Sequence, residues 1–307
     1  MTQVTVLSPA TVANIVCGFD VLGLALNAPS DKLVMRLLDK REIRIINKDS
    51  YHLPVEPEKN VFGGALLAMI REVNEEIGFE IESIKVIKPG SGIGSSAASA
   101  AGAVVGANHL LGNRFAKQEL VQFATYGEQV ASGSRHADNI APCIYGGVTL
   151  IRSNEPLDII PLNFPPLYVT VIHPQIEVKT SYAREILPKQ VSLKDAVTQW
   201  ANVGGLVAGF MKQDYDLIGR SLQDVLIEPV RSKLIPGFDE IKKLSKEAGA
   251  LGGGISGSGP SVFMLSKDEA TAKAVEQAMR SVYEKVGVDF HIHLTTVNSR
   301  GVEVVNS

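Results

Sequence analysis

The stretch Pro89-Gly90-Ser91-Gly92-Ile93-Gly94-Ser95-Ser96-Ala97-Ala98 decides how this chain is read. A strand-like run, IKVIK (84–88), empties into three glycines and the pair Ser95-Ser96, then into small helix formers. Glycine lets the backbone approach an anion closely, and the first amides of a helix, lacking internal acceptors, point at a ligand along a favourable dipole. Such a turn is suited to phosphate. A P-loop of the GxxxxGK[ST] type is excluded, because no lysine follows the last glycine. Gly92-x-Gly94-x-x-Ala97 meets the loose dinucleotide fingerprint, yet that loop belongs to a first βα unit and here it follows several strands and a helix. The plainest alternative is a tight strand-to-helix turn with an ordinary serine N-cap.

Working outward from the loop, VTVL, KLVMRLL, REIRII and IESIKVIK read as strands. Between Val61 and Ile77 the apolar residues keep one helical face, and Gly78 is placed to end that helix. Further helices are expected over 97–111 and 117–131, followed by the strand GGVTLI. The prolines of EPLDIIPLNFPP (155–166) then interrupt regular structure, which puts a domain boundary there, giving domains 1–160 and 161–307. In the second half LYVTVIHP is a strand and helices fall near 193–212, 215–226 and 237–248. SVFML and HIHLTTV flank a long amphipathic helix over 268–286. This half reads as α+β.

Composition agrees with two domains, since 307 residues exceed one unit of ~100 to 200. The 45% hydrophobic and 21% charged fractions are those of a globular protein. Lysine and arginine number 30 against 33 acids, a net charge of −3, so no global field attracts nucleic acid or anionic lipid. An anionic ligand must be met locally. Cys17 and Cys143 are not spaced like metal ligands and suit a reducing compartment. MTQVTVLSPATVAN lacks the features of a leader, and no run of about 18 apolar residues occurs, so a cytoplasmic location is expected.

Two further segments accompany the loop: SPATVANIVCGFDVLGLAL (8–26), with Asn14 and Asp20 beside a glycine-bearing turn, and LGGGISGSGPSVFML (251–265), a second glycine cluster running into a strand. Together the three segments resemble, in order, the three motifs of the GHMP kinases, the family of galactokinase, homoserine kinase and mevalonate kinase. The likeness runs essentially the full length. It implies an α+β two-domain GHMP kinase fold, with an N-terminal α/β domain like domain 2 of ribosomal protein S5 and a C-terminal ferredoxin-like α+β domain. It also implies ATP held by residues 89 to 98 (Pro89, Gly90, Ser91, Gly92, Ile93, Gly94, Ser95, Ser96, Ala97, Ala98), with Asn60 against adenine, although Asn60 could equally cap the helix that begins at Val61.

The segment SRHADNIAPCIYGG supplies His136, Asp138 and Asn139, and is similar to the homoserine kinase version of the family pattern. KTSYAREILP supplies Thr180 and Arg184, and IEPVRSKLIPGF supplies Arg231; both resemble the segments that bind the amino acid carboxylate in that branch. The activity implied is ATP-dependent phosphorylation of the L-homoserine side-chain hydroxyl to O-phospho-L-homoserine, on the route to threonine. Chemistry agrees. Homoserine is a zwitterion, so its site needs cationic donors, which Arg184 and Arg231 provide through forked hydrogen bonds of ~1.5 to 3 kcal/mol each. Asp20 and Asn14 can accept from the ammonium. Without the family context each arginine reads as a solvated surface residue.

Mg²⁺ bridging the β and γ phosphates is expected on Ser96 and Glu128; magnesium takes one or two protein oxygens besides phosphate. Glu128 alone reads as an exposed helix acid. Phosphoryl transfer asks mainly for alignment and charge neutralisation, so a strong base is optional. Asn139 is expected to orient the hydroxyl and Asp138 to help place the ammonium, although an aspartate there could also act as a base. Motif one departs from the family where Val12 removes a hydroxyl and Val16-Cys17 replace a Gly-Pro turn, so the backbone there is expected to differ. Cys17 reads as a small buried thiol. The rivals are another small-molecule kinase of the family, of mevalonate or shikimate type, and a catalytically silent ligand sensor. A homodimer is expected from the resemblance, with no heptad or long apolar stripe to mark its interface.

Overall fold

The computed structural model describes residues 2–73 and 75–305. In chain order the first half runs β1 (Gln3–Ala13), β2 (Leu22–Leu38), β3 (Ile43–Asn47), α1 (Val61–Val73), β4 (Gly78–Ile84), α2 (Ser95–Leu110), α3 (Lys117–Ser132), α4 (Ile140–Tyr145), β5 (Val148–Asn154) and β6 (Leu157–Leu162). The second runs β7 (Tyr168–Pro174), α5 (Thr180–Glu185), α6 (Leu193–Lys212), α7 (Tyr215–Ser221), α8 (Glu228–Arg231), α9 (Phe238–Glu247), β8 (Gly252–Ile255), β9 (Val262–Ser266), α10 (Glu269–Val286), β10 (Phe290–Thr296) and β11 (Glu303–Val305).

The first sheet has the order β11-β1-β2-β4-β3, with β5 paired to β2 and β6 to β5. Among the described residues only β3 and β4 pair in parallel. Alternation along β1, with Val4 and Val6 buried between exposed neighbours, faces the sheet onto α1, α2 and α3. The small residues of α2 let it lie against the strands: a Cβ on Gly106 would sit 2.4 Å from the Met35 sulfur. The second sheet, β10-β7-β9-β8, is antiparallel and packs Ile172, Val262 and Met264 against Met279 and Tyr283 of α10. A third apolar cluster joins Val12 and Leu24 of the first sheet to Val169 and Phe263 of the second and to Phe210 of α6. The two sheets therefore share a core, and the cleft described below opens at their seam.

Several sequence expectations shift. The helix from Val61 ends at Val73, and Gly78 opens β4 instead of closing a helix; a Cβ there would lie 2.0 Å from the Glu42 carbonyl oxygen. IESIKVIK is strand only to Ile84, because the amides of Val86 and Ile87 turn to the Asp31 carboxylate at 2.7 and 2.8 Å. The proline-rich stretch 155–166 contains β6, an outer strand on which Pro161 needs no donor, so the passage between the sheets falls at 163–167. The chain finally returns to the first sheet through β11, paired with β1. α7 stops at Ser221, where 226 was expected. In motif one Asn14, Ile15 and Val16 all have positive φ, at 73°, 40° and 65°. For β-branched residues this is a strained turn. Both cysteines are buried and free.

Candidate active site

A cleft of about 430 Å³ lies between the glycine loop, motif one and the segments that carry the two arginines. Its floor is the glycine loop, where Gly90, Gly92 and Gly94 have φ of 75°, 82° and 72°. The loop carbonyls are tied down from behind. Ser261 Oγ donates to the Ser91 carbonyl at 2.6 Å, Ser256 Oγ to that of Gly92 at 2.7 Å, and the Thr11 amide to that of Ile93 at 3.1 Å. The amides of Gly92, Ile93 and Gly94 find no acceptor among the described residues. With carbonyls consumed and amides left over, the loop presents donors to the cleft. Beneath the start of α2, Lys85 Nζ pairs with Asp31 in a fully buried ion pair and donates to Ser99 Oγ at 2.9 Å and the Ser95 carbonyl at 3.2 Å. Pro89, Gly90, Gly92, Gly94, Ser95 and Ser96 line the cleft. The side chains of Ser91, Ile93, Ala97 and Ala98, expected there too, lie buried behind it, because alternate loop residues and the sheet-facing side of α2 point inward.

Ser96 Oγ donates to Glu128 Oε2 at 2.7 Å. Burial pushes the Glu128 carboxyl up, and no cation pairs with it among the described residues. A half-buried carboxylate beside a hydroxyl, without counter-charge and facing the phosphate loop, fits a magnesium ion that completes its shell with phosphate and water. Among the described residues no group of three or more acids, histidines or cysteines is placed to hold a metal ion by itself, so the site is not an all-protein cage.

Asp138 and Asn139 sit where the chain enters α4. Asp138 is 6% exposed, and burial, reinforced by the charges of Asp20 and Glu128, pushes its carboxyl up to about 7. Asn139 Oδ1 accepts from Thr11 Oγ1 at 2.8 Å, which turns its amide nitrogen toward the cleft. The contact exists because position 94 is glycine: a Cβ there would stand 2.0 Å from Thr11 Oγ1 and 3.1 Å from Asn139 Oδ1.

At the far end Arg184 donates to both Asp20 oxygens, at 3.1 and 3.0 Å. The residues expected to hold opposite ends of an amino acid thus hold each other. Arg231 is 3% exposed, anchored by the carbonyls of Ala183 at 2.9 Å and Gly257 at 3.0 Å, and burial with neighbouring Arg184 lowers it to about 10. The Phe19 ring lies 5.4 Å from the Arg184 guanidinium and 5.1 Å from that of Arg231, so it spaces the two. Asn14 acts differently from expectation. Its oxygen accepts the Asp20 amide at 3.0 Å and its nitrogen donates to the Gly257 carbonyl at 3.0 Å, so it shapes the turn beneath Asp20 instead of offering a free acceptor. His136 lies 3.9 Å from Asp20, with burial lowering its pKa and Nε2 buried without a partner among the described residues. Thr180 Oγ1 meets Ser258 Oγ at 3.2 Å. Asn60 both lines the cleft and caps α1, accepting the Phe62 amide at 2.8 Å.

Phe19, Lys85, Thr11 and the two serine staples were missed from sequence. Phe19 stood within the quoted GFD, whereas the partners of Lys85 and Thr11, 54 and 128 residues away, leave no local signal.

Comparison with known proteins agrees with this geometry. The family model for the GHMP kinases N terminal domain matches residues 60–147, and that for GHMP kinases C terminal matches 206–285. Homoserine kinase of Chloroherpeton thalassium is 47% identical, covering 93% of this chain and 94% of its own. That of Chlorobaculum tepidum is 44% identical over 100% and 99%. The crystal structure of homoserine kinase from Cytophaga hutchinsonii superposes with a TM-score of 0.95 at 49% identity, covering 99% of this chain and 98% of that one. With its three glycine-bearing segments meeting at one cleft, the chain belongs to the GHMP kinase family, in the branch of the homoserine kinases.

Proposed function

We propose that this protein is a homoserine kinase, transferring the γ-phosphoryl group of ATP to the side-chain hydroxyl of L-homoserine to give O-phospho-L-homoserine and ADP, as in threonine biosynthesis. The observation that carries the reading is the placement of Arg184 and Arg231 in one cleft with the donor-presenting glycine loop. A zwitterion entering that cleft meets an ion pair of its own kind. Its carboxylate takes the place of Asp20 on the Arg184 guanidinium, with Arg231 beside it, and its ammonium takes the place of Arg184 on Asp20. Mevalonate offers no ammonium for Asp20, and a sugar offers neither charge.

The β and γ phosphates fit the amides of residues 90–96, and Asn60 fits the adenine end. Ser96 and Glu128 would hold Mg²⁺, which supplies neutralisation of charge on the transferring group. Asn139 donates from its amide nitrogen to the hydroxyl oxygen, in the orientation Thr11 gives it. Asp138 adds negative charge on the ammonium side, where Asp20 also lies. In-line alignment supplies the rest of the rate enhancement. The reading includes a cytoplasmic location and a homodimer. Among the described residues no helix is long and apolar enough to cross a membrane.

The test is ADP release with ATP and Mg²⁺ against a panel of homoserine, mevalonate, galactose and shikimate. Turnover with homoserine alone supports the reading. Preference for another acceptor would move the chain elsewhere in the family, and ATP binding without turnover on any acceptor would make it a sensor.

A further inference from the structure

Gln199 of α6 does not line the cleft, yet it is 8% exposed and holds two of the segments that do. Its Nε2 donates to the Cys17 carbonyl at 2.8 Å and its Oε1 accepts the Val225 amide at 3.0 Å. A carbonyl only accepts and an amide N–H only donates, so both ends of the carboxamide are committed and its orientation is fixed. Cys17 leads into Phe19 and Asp20, and Val225 into the segment that ends at Arg231. The Asp224 carboxylate fastens that second segment further, accepting the amides of Leu226, Ile227 and Glu228 at 2.8, 3.0 and 2.9 Å, so the start of α8 moves with position 225. The first segment is a strained turn, with positive φ at Asn14, Ile15, Val16 and Asp20, and such backbone persists only where its surroundings hold it.

We infer that Gln199 is a positioning residue that sets the span of the acceptor pocket, the gap between Asp20 and Arg231, and so selects an amino acid by the length of its hydroxyl arm. The inference rests on the homoserine kinase reading and deepens it. The two sides of the pocket are joined twice. On the cleft side the Gly257 carbonyl accepts Asn14 Nδ2 and Arg231 Nη1, both at 3.0 Å. Behind the cleft Gln199 joins the same two segments through Cys17 and Val225. One tie alone is a hinge about which the sides can open; two fix the gap. An amino acid gripped by its charged ends has its α-carbon placed by that gap, and its hydroxyl then reaches the phosphate by the length of the side chain alone. Serine is one methylene shorter than homoserine and 5-hydroxynorvaline one longer. A methylene moves the hydroxyl by more than the ~1 Å misplacement that costs on the order of 100-fold in rate. Discrimination by length therefore requires a fixed gap, which the buried carboxamide supplies.

The experiment measures kcat and KM of the full chain for L-serine, L-homoserine and 5-hydroxy-L-norvaline, in the wild type, Gln199→Glu and Gln199→Met. Gln199→Glu keeps the acceptor for the Val225 amide but sets an oxygen against the Cys17 carbonyl, and Gln199→Met keeps the bulk while dropping both bonds. Each should raise KM for homoserine about 10-fold or more with KM for ATP unmoved, and cut the preference for homoserine over its shorter and longer neighbours by about 10-fold. Thr198→Ala, at an exposed position on the same helix, should match the wild type. Equal losses on all three acceptors with the preference unaltered are what a merely destabilised chain gives, and would overturn the inference. Wild-type kinetics in both Gln199 variants, or a rise in KM for ATP alone, would overturn it as well. Calorimetric titration of the same amino acids separates this outcome from failure of the kinase reading. If the wild type binds homoserine without turnover, that reading fails, and a rise in Kd for homoserine in both variants with that for ATP unmoved still supports the role of Gln199. Binding of none of the three amino acids overturns both.

Discussion

Asp138→Asn should make this protein more stable in alkali and less stable in acid. The Asp138 carboxyl is pushed from an ordinary 3.8 to about 7, first by burial and then by the charges of Asp20 and Glu128. At pH 8 it is ionised in the folded and the unfolded chain alike, and holding that charge inside costs on the order of 4 kcal/mol. Between about pH 4 and 7 the unfolded chain gives up a proton that the folded chain keeps, so this group subtracts stability as pH rises through that window. Below the window its contribution vanishes. Asparagine removes the charge but buries two N–H donors, at about 1–3 kcal/mol if they find no acceptor. The net change at pH 8 is therefore a gain of roughly 1–3 kcal/mol, and at pH 4 a loss of similar size. Urea unfolding of the nucleotide-free protein and the variant at several pH values measures the difference directly. A difference that does not vary with pH would refute the assignment of a high carboxyl pKa. In the assay, a charge that serves the ammonium raises KM for homoserine and keeps kcat within about 10-fold. A kcat collapse of about 10³-fold at unchanged KM would identify Asp138 as an obligatory base and refute the role given to it here.

The remaining predictions address other corners of the cleft. Arg184→Lys loses the forked pair of donors and should lower kcat/KM for homoserine by about 10- to 100-fold, with KM for ATP unmoved; an effect on ATP alone would contradict its place in the acceptor pocket. Glu128→Gln should shift the Mg²⁺ concentration for half-maximal ADP release upward and depress the plateau, and an unaltered Mg²⁺ titration would remove Glu128 from the metal site. Gly94→Ala places a methyl 2.0 Å from Thr11 Oγ1 at a φ of 72°, so the variant should lose at least ~1–2 kcal/mol of stability together with most of kcat. Wild-type stability and turnover in that variant would break the link between Gly94, Thr11 and Asn139. Burial pushes the thiols of Cys17 and Cys143 to about 12, so both should resist a thiol reagent at pH 8 until the protein is denatured; prompt labelling of the native chain would disprove their enclosure.

What the sequence disclosed were features written in consecutive residues. Three glycines before a serine pair announced a donor-rich turn, and the helix expected near 193–212 is α6, Leu193–Lys212. What it hid depends on partners far apart. The strand expected through Lys88 ends at Ile84 because Asp31, more than 50 residues earlier, claims the amides of Val86 and Ile87. β6 was obscured by Pro156 and Pro161, which bar a central strand but not an outer one. Asn14 was read as a free acceptor because its hydrogen-bond partners, the Asp20 amide and the Gly257 carbonyl, are invisible until motif one and the last glycine cluster are brought together.

These hidden contacts explain why the site needs three segments, when the middle one alone resembles a phosphate loop. A turn with φ near 75° at Gly90, Gly92 and Gly94 aims amides one way only if its carbonyls are accounted for on the other side. Ser256, Ser261 and Thr11 do that accounting, the first two from the last glycine cluster and the third from β1. The same two segments then hold the acceptor end, because the Gly257 carbonyl receives both Asn14, beneath Asp20, and Arg231. One carbonyl thus ties the turn under Asp20 to Arg231, while its neighbour Ser256 fixes the glycine loop that floors the cleft. The donor and acceptor halves of the cleft are therefore tied to each other through the hairpin turn between β8 and β9. Alignment is what phosphoryl transfer most requires of a protein, and here it is built into hydrogen bonds that reach across the seam.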